Sequence, residues 1–146
     1  MTEAYTIFLC HFVGDYFTQS DWMALNKNKK TIPCLVHVIL YTLCFVPFLS
    51  FNALLFVAIT HFIIDRFGIV KYLIWLKNHI NPTMTYHPWS QCSITGYQDQ
   101  EIIDSSKPEG QNKTPPQRPF WLTLMLYIVS DNTLHLICNE FARTHL

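Results

Sequence analysis

Charge is the property that this sequence has least of. Only 14% of its 146 residues are Asp, Glu, Lys or Arg, whereas about a quarter are charged in a typical soluble domain. The ten basic residues are balanced by ten acidic ones, so there is no basic excess of the kind that nucleic-acid binding requires. We therefore expect no nucleic-acid partner. Glycine is scarce as well, with four residues, which argues against a low-complexity chain.

The sequence also lacks clear cysteine motifs for zinc binding and a clear signal peptide. The five cysteines are an odd number and no two are spaced as CxxC, so a structural zinc ribbon is not indicated. Most of them lie in apolar runs, where small buried hydrophobic side chains are the usual interpretation. The Met-Thr-Glu-Ala start lacks a positively charged region, and we expect no removable signal peptide.

Apolar residues dominate what is present, at 50% of the chain. Their distribution predicts an all-α fold with four helices and one long polar loop between helices 3 and 4. The predicted helices cover residues 4–25, 32–50, 52–79 with a break at Gly68, and 119–142. The loop covers residues 80–118 and contains most of the prolines. We predict a single helical membrane domain over residues 1–146.

Two apolar runs, 32–64 and 119–138, provide the length of about 20 residues that a membrane-spanning helix needs. Nine of the ten Lys and Arg residues lie between helices 1 and 2 or between helices 3 and 4, so a four-span arrangement places both basic loops on one side. This predicts a four-helix transmembrane bundle, multi-pass in the bacterial inner (cytoplasmic) membrane, with the basic loops cytoplasmic. The alternative is a soluble four-helix bundle with an unusually apolar core.

One motif occurs three times inside the apolar segments: a His and an Asp four residues apart, in HFVGD, HFIID and the reversed DNTLH. Residues four apart share one face of an α-helix, so each helix offers an imidazole and a carboxylate in the same direction. Three such helices can converge on one point in a bundle. The second helix adds one further imidazole. The candidate metal ligands are His11, Asp15, His37, His61, Asp65, Asp131 and His135.

Ionisable side chains in an apolar segment are costly to bury, which leaves two explanations for the pairs. They could neutralise one another, or they could bind a divalent metal. Imidazole and carboxylate donors suit Zn²⁺ best, with Mn²⁺ and Fe²⁺ as alternatives. Seven donors exceed the needs of one tetrahedral ion, so either two ions bind or some Asp residues orient a His or act as general base. Asp15 and Asp65 are the candidates for that catalytic role. Plausible outer donors are Gln19, Asp21, Asn132 and Asn139. For Asp21 we favour an N-cap or a solvated charge near the end of helix 1.

The stretches HFVGDYFTQSDWMALNK, HFIIDR and DNTLHLICN, with WSQCSITGY in the loop, resemble a small protein family of unknown function found in tailed phages and bacteria. More distantly, they resemble membrane-bound metal-dependent hydrolases, which also carry His and Asp in transmembrane helices. The resemblance covers most of the chain. It implies a metal site at His11, Asp15, His61, Asp65, Asp131 and His135.

These observations predict a metal-dependent hydrolase that acts on a lipid or lipid-linked substrate, since a bound metal lowers the pKa of a coordinated water toward about 7. The alternatives are a non-catalytic phage-encoded envelope protein with a structural metal, or a metal or proton conduit. Membrane lipid is the expected partner, with a second copy of the chain or a host membrane protein as further partners. The loop residues His87, Trp89, Cys92 and Tyr97 could cover the site as a lid. Alternatively, Trp89 and Tyr97 anchor the loop at the membrane interface.

Overall fold

The computed structural model of the protein describes residues 2–79 and 120–146. Both ranges are helical and contain no strand, so the predicted all-α fold is confirmed for the part of the chain that is described. Most of the predicted polar loop, with His87, Trp89, Cys92 and Tyr97, lies outside the described residues.

The described ranges contain α-helices joined mostly by short turns, and a five-residue π-helical turn, Val13–Phe17, directly follows the first helix. The α-helices are α1 (Thr2–Phe12), α2 (Asp21–Asn26), α3 (Thr31–Leu43), α4 (Phe51–Phe67), α5 (Ile69–His79) and α6 (Phe120–His145). The long predicted elements are therefore present, but two of them are broken or shortened.

The prediction of one continuous helix over residues 4–25 is wrong. The chain leaves α-helical geometry at Val13 and starts a new helix at Asp21. Two hydroxyl side chains explain the break, because Ser and Thr compete for local backbone groups. Thr18 donates a hydrogen bond to the Gly14 carbonyl at 2.7 Å, and the Ser20 hydroxyl accepts one from the Met23 N–H at the start of α2.

The second predicted helix also ends early, at Leu43 rather than at residue 50. Turns follow over residues 44–48, and Pro47 among them lacks the N–H that a regular helix would need there. Ser50 then caps α4 by accepting a hydrogen bond from the Ala53 N–H at 3.2 Å. The predicted break at Gly68 is confirmed: this glycine ends α4 in the left-handed conformation, with φ 59° and ψ 47°, which is strained for residues with a Cβ.

The chain divides into two compact units, Met1–Val70 with Ser130–Leu146, and Lys71–Val129. The second unit is described only in the helical residues at its two ends. In the first unit, α1, α3, α4 and α6 bring together an apolar cluster formed by Ile7, Cys10, Tyr41, Phe45, Ala53, Val57 and Ala142. The prediction of one domain over the whole chain stays a prediction.

The outward faces of α3 and α4 are apolar. Every fourth residue of α4, from Phe51 to Phe67, is a large hydrophobic side chain that is between 42% and 79% exposed. The opposite face of α4 buries His61 and Asp65. On α3 the exposed apolar residues are Ile32, Leu35, Ile39 and Leu43, and His37 is buried. Both helices thus bury ionisable side chains while large apolar side chains stay exposed on the opposite face.

The predicted bundle of four spanning helices is not supported. Within residues 2–79 and 120–146, no single helix combines the length and the apolar character that a membrane crossing needs. The early ends of α1 and α3 account for part of this, since α3 has only 13 residues. By length and composition alone, α4 and the following helical segment Ile69–Lys77 could cross a membrane together, as a pair bent at the intervening glycine.

Candidate metal centre

Five buried side chains from four elements converge in the first unit. Asp15 comes from the π-helical turn, His37 from α3, His61 and Asp65 from α4, and His135 from α6, and none is more than 8% exposed. They form two groups of potential ligands, each with its donor atoms within 4.8 Å of one another. The first group is Asp15, His37 and His61, and the second is His61, Asp65 and His135.

Two imidazoles and two carboxylates form the centre of this cluster. The Nε2 atoms of His37 and His61 are 3.0 Å apart. Asp15 Oδ1 lies 3.2 Å from His37 Nε2 and 3.5 Å from His61 Nε2. Asp65 Oδ2 lies 3.3 Å and 3.2 Å from the same two nitrogens. The two carboxylates thus flank the same pair of imidazole nitrogens, and the buried groups of three could each hold a metal ion.

His135 joins the cluster from α6. Its Nε2 atom lies 3.6 Å from Asp65 Oδ1 and is buried without a hydrogen-bond partner among the described residues. An orphaned buried imidazole nitrogen is costly in a protein interior. A cation bound at the second group would give this nitrogen a partner, so the donor set fits a metal.

The placement of Asp15 depends on the close approach of α3 to the π-helical turn. A Cβ atom on Gly14 would lie 2.5 Å from Cδ2 of Tyr41, so only glycine leaves room for this ring. Single π-helical turns occur often at functional sites, because they shift side chains relative to a regular helix. Here the turn carries Asp15 into the cluster between α3 and α4.

His11 has a different position from the one that its spacing predicts. Its Nε2 lies 2.9 Å from Asn132 Oδ1 and its Nδ1 lies 2.8 Å from the Tyr41 hydroxyl. The Asn132 oxygen only accepts, so Nε2 carries the proton and a neutral ring accepts the Tyr41 O–H at Nδ1. With both nitrogens occupied, His11 belongs to neither ligand group, and its Nδ1 lies 3.3 Å from Asp15 Oδ2.

Asp131, the seventh predicted ligand, lies at the edge of the cluster. Its Oδ2 is 3.9 Å from His135 Nε2 and its side chain is 23% exposed. Among the predicted outer donors, Asn132 bonds His11 and Asn139 donates to the Tyr41 oxygen at 2.6 Å. Asp21 is exposed at the start of α2. The structure thus brings together five of the seven predicted ligands.

Two residues of the cluster were not predicted. Tyr41 is fully buried, and its ring centroid lies 3.8 Å from that of His61. Lys27 places its Nζ 2.9 Å from Asp65 Oδ2. Burial disfavours the ammonium form of Lys27, but the charges of Asp65 and Asp15 outweigh this and raise its pKa. In the sequence, Lys27 is indistinguishable from Lys29 in the same basic turn.

Comparison with known proteins places the chain in a family. Residues 4–88 match the model of DUF3307, a family described as proteins of unknown function, while no curated protein and no solved structure matches the chain. The matched segment contains Asp15, His37, His61 and Asp65, and His135 lies beyond it. It covers more than half of the 146 residues. The chain therefore belongs to the DUF3307 family, a family of unknown function.

Proposed function

We propose that this protein binds one divalent transition-metal ion, with Zn²⁺ as the first candidate, and uses it to hydrolyse an ester bond in a lipid or lipid-linked substrate. One observation carries the proposal: two buried imidazole nitrogens, 3.0 Å apart, lie between two buried carboxylates. Burying a carboxylate is costly unless a cation or hydrogen bonds compensate it. A divalent ion bound at this point would compensate both, and mixed imidazole and carboxylate ligands are typical of catalytic zinc.

The geometry favours one ion over two. His61 belongs to both groups of potential ligands, and its Nε2 faces Asp15 of one group and Asp65 of the other. A ring nitrogen has a single lone pair for a metal, so this nitrogen cannot serve two ions at once. The four described cysteines, Cys10, Cys34, Cys44 and Cys138, belong to neither group. We infer an ion held by nitrogen and oxygen donors alone.

In this proposal His37, His61, Asp15 and Asp65 would hold the ion, which would supply an activated water for attack on the ester carbonyl or phosphorus. The proton of that water would pass to Asp131 and from there to the leaving oxygen of the cleaved ester. Asp131 suits this role because its side chain is more exposed to solvent than those of Asp15 and Asp65. Tyr41 and Asn132 fix the orientation of the neutral His11 ring, which packs beside Asp15, with its Nδ1 3.3 Å from Asp15 Oδ2. Such orienting contacts around a metal site typically change affinity or activity by about 10- to 100-fold.

The lipid substrate is inferred from the surface. The exposed apolar faces of α3 and α4 lie opposite the buried polar cluster, whereas a soluble monomer rarely leaves large contiguous apolar patches uncovered. We propose that these faces lie against the acyl chains of a membrane. The bacterial inner membrane and the cytoplasmic side of the basic loops stay predictions.

Metal content of the detergent-purified protein tests the proposal. After loading with Zn²⁺ and removal of free ion, we expect one zinc per chain in the wild type and little in His61→Ala. The matched control is His145→Ala, because His145 is exposed near the end of α6 and should leave zinc content unchanged. A wild type that retains no zinc, or equal zinc in His61→Ala, would refute the proposal.

Ester hydrolysis is then followed on bacterial lipid extracts, where Asp131→Asn should keep its zinc and form less product. Equal product formation would remove Asp131 from the mechanism.

A further inference from the structure

Lys27 brings a positive charge into the cluster. Its Nζ atom is 2.9 Å from Asp65 Oδ2, the same oxygen that faces the two central imidazoles. The Lys27 side chain is 15% exposed, whereas that of Asp65 is 2% exposed. Lys27 thus connects the turn between α2 and α3 to the buried carboxylate.

The fold holds this lysine in place from two directions. The Lys27 N–H bonds the Met23 carbonyl at 2.8 Å and so closes α2, and Met23 is buried. One residue further along, the Asn28 carbonyl accepts a hydrogen bond from Arg66 Nη1 at 3.0 Å. Arg66 directly follows Asp65 in α4, so the turn is fastened to the helix that carries the central carboxylate. Lys29 and Lys30, in the same turn, are exposed.

The charges of the cluster decide what a metal-loaded site would attract. Asp15 and Asp65 would offset the two positive charges of a divalent ion, with neutral imidazoles, while Asp131 lies at the edge of the cluster with a side chain that is 23% exposed. The Lys27 ammonium, which pairs with Asp65, would then no longer have a carboxylate that neutralises it alone. A net charge in a buried site is unfavourable unless a counter-ion accompanies it. The loaded cluster would therefore favour an anionic ligand over a neutral one.

We infer that Lys27 is the residue that selects an anionic substrate, and that the metal-loaded centre takes a phosphate group held between the ion and the Lys27 ammonium. The inference rests on the proposed function and narrows its substrate class to phosphoesters. An ammonium group is a compact point charge with three donors, which suits phosphate oxygens. The same chemistry is present in free phosphate and in the headgroup of an anionic phospholipid.

Calorimetric titration of the zinc-loaded protein in detergent tests the inference. One arm uses inorganic phosphate and the other uses short-chain phosphatidic acid, with short-chain phosphatidylcholine as the zwitterionic control. Zinc content is measured for every sample. The variants are Lys27→Met, Lys27→Arg and, as the matched control in the same turn, Lys29→Met.

We expect binding to the zinc-loaded wild type and to Lys29→Met, and an affinity about tenfold or more weaker in Lys27→Met, as for the loss of one charged hydrogen bond. Lys27→Arg, which keeps the charge, should retain most of the affinity. Binding in only one arm still supports the inference and identifies the source of the phosphate group.

Several results would overturn the inference. Zinc-loaded wild type that binds neither phosphate compound contradicts it while leaving the metal centre intact, and so does equal affinity with and without zinc. Unchanged affinity in Lys27→Met has the same consequence. If Lys27→Met does not fold, the inference is tested by the phosphate affinity of Lys27→Arg and by the affinities of zinc-free and zinc-loaded wild type. Wild type that holds no zinc overturns both this inference and the proposed function.

Discussion

The polar interior of this protein is built from side chains that hydrogen-bond each other across helices. Tyr41 is the clearest case: it is fully buried, it packs against His61, and its hydroxyl joins His11 to Asn139. The hydroxyl thereby fixes the ring of His11, whose Nδ1 lies beside Asp15. One phenol thus supports both the packing and the polar cluster.

Tyr41→Phe keeps the ring and removes only this hydroxyl. His11 and Asn139 then each lose a buried hydrogen bond, so we expect a loss of about 1–3 kcal/mol in the free energy of unfolding. Chemical denaturation measures it. The matched control is Tyr16→Phe, whose hydroxyl accepts a bond from Asn132 but whose side chain is half exposed. Similar losses in both variants would contradict the role given to Tyr41.

Gly14→Ala tests the close approach of the π-helical turn to α3. In a helix, alanine normally gains up to about 1 kcal/mol over glycine. Here the new Cβ would lie 2.5 Å from the Tyr41 ring, and overpacking of this kind costs about 1–3 kcal/mol. Because Tyr41 is buried and bonded on its hydroxyl, we expect net destabilisation.

The control for this substitution is the same change in a Tyr41→Leu background, where the ring is absent. Gly14→Ala should then cost clearly less, as a double-mutant cycle on the free energy of unfolding would measure. Equal costs in the two backgrounds would mean that the contact with Tyr41 is not what requires glycine at position 14.

At the scale of elements, the spacing of His and Asp correctly predicted which side chains share a buried face. The apolar pattern did not correctly predict where the first helix ends. In α4 the i, i+4 rule places His61 and Asp65 on one buried face. In the first segment the residues between His11 and Asp15 leave α-helical geometry, since Asp15 lies in the π-helical turn. The apolar pattern of residues 4–25 masked this break, because Thr18 and Ser20 act through single hydrogen bonds.

The exposed face of α4 gives a prediction for the membrane. Ile59 is at the middle of this apolar face and 50% exposed, so a charge there should oppose burial in lipid by about 2.5–3.5 kcal/mol. We expect Ile59→Glu to shift the protein from the detergent phase toward the aqueous phase in a two-phase separation. Lys30→Glu, in the exposed turn before α3, is the control. Partitioning of Ile59→Glu like the wild type would contradict a lipid-facing α4.

For the whole molecule, periodicity and backbone preference in the sequence were enough to predict the all-α class and the break at Gly68, where α4 ends in a left-handed conformation. Features that depend on tertiary neighbours could not be predicted in this way. Lys27 differs from Lys29 only in what it faces, and Tyr41 lies in an apolar run that gives no sign of its hydroxyl contacts. His11 was grouped with the ligands because spacing cannot show that both its nitrogens have other partners.

The central claim concerns the buried cluster: one metal ion bound by its imidazole and carboxylate groups. X-ray absorption at the zinc edge tests it most directly, because it reports the donor atoms around the ion. For the zinc-loaded wild type we predict nitrogen and oxygen donors with an imidazole signature and no sulfur. A sulfur-containing shell, or an ion surrounded by oxygen alone, would contradict the account.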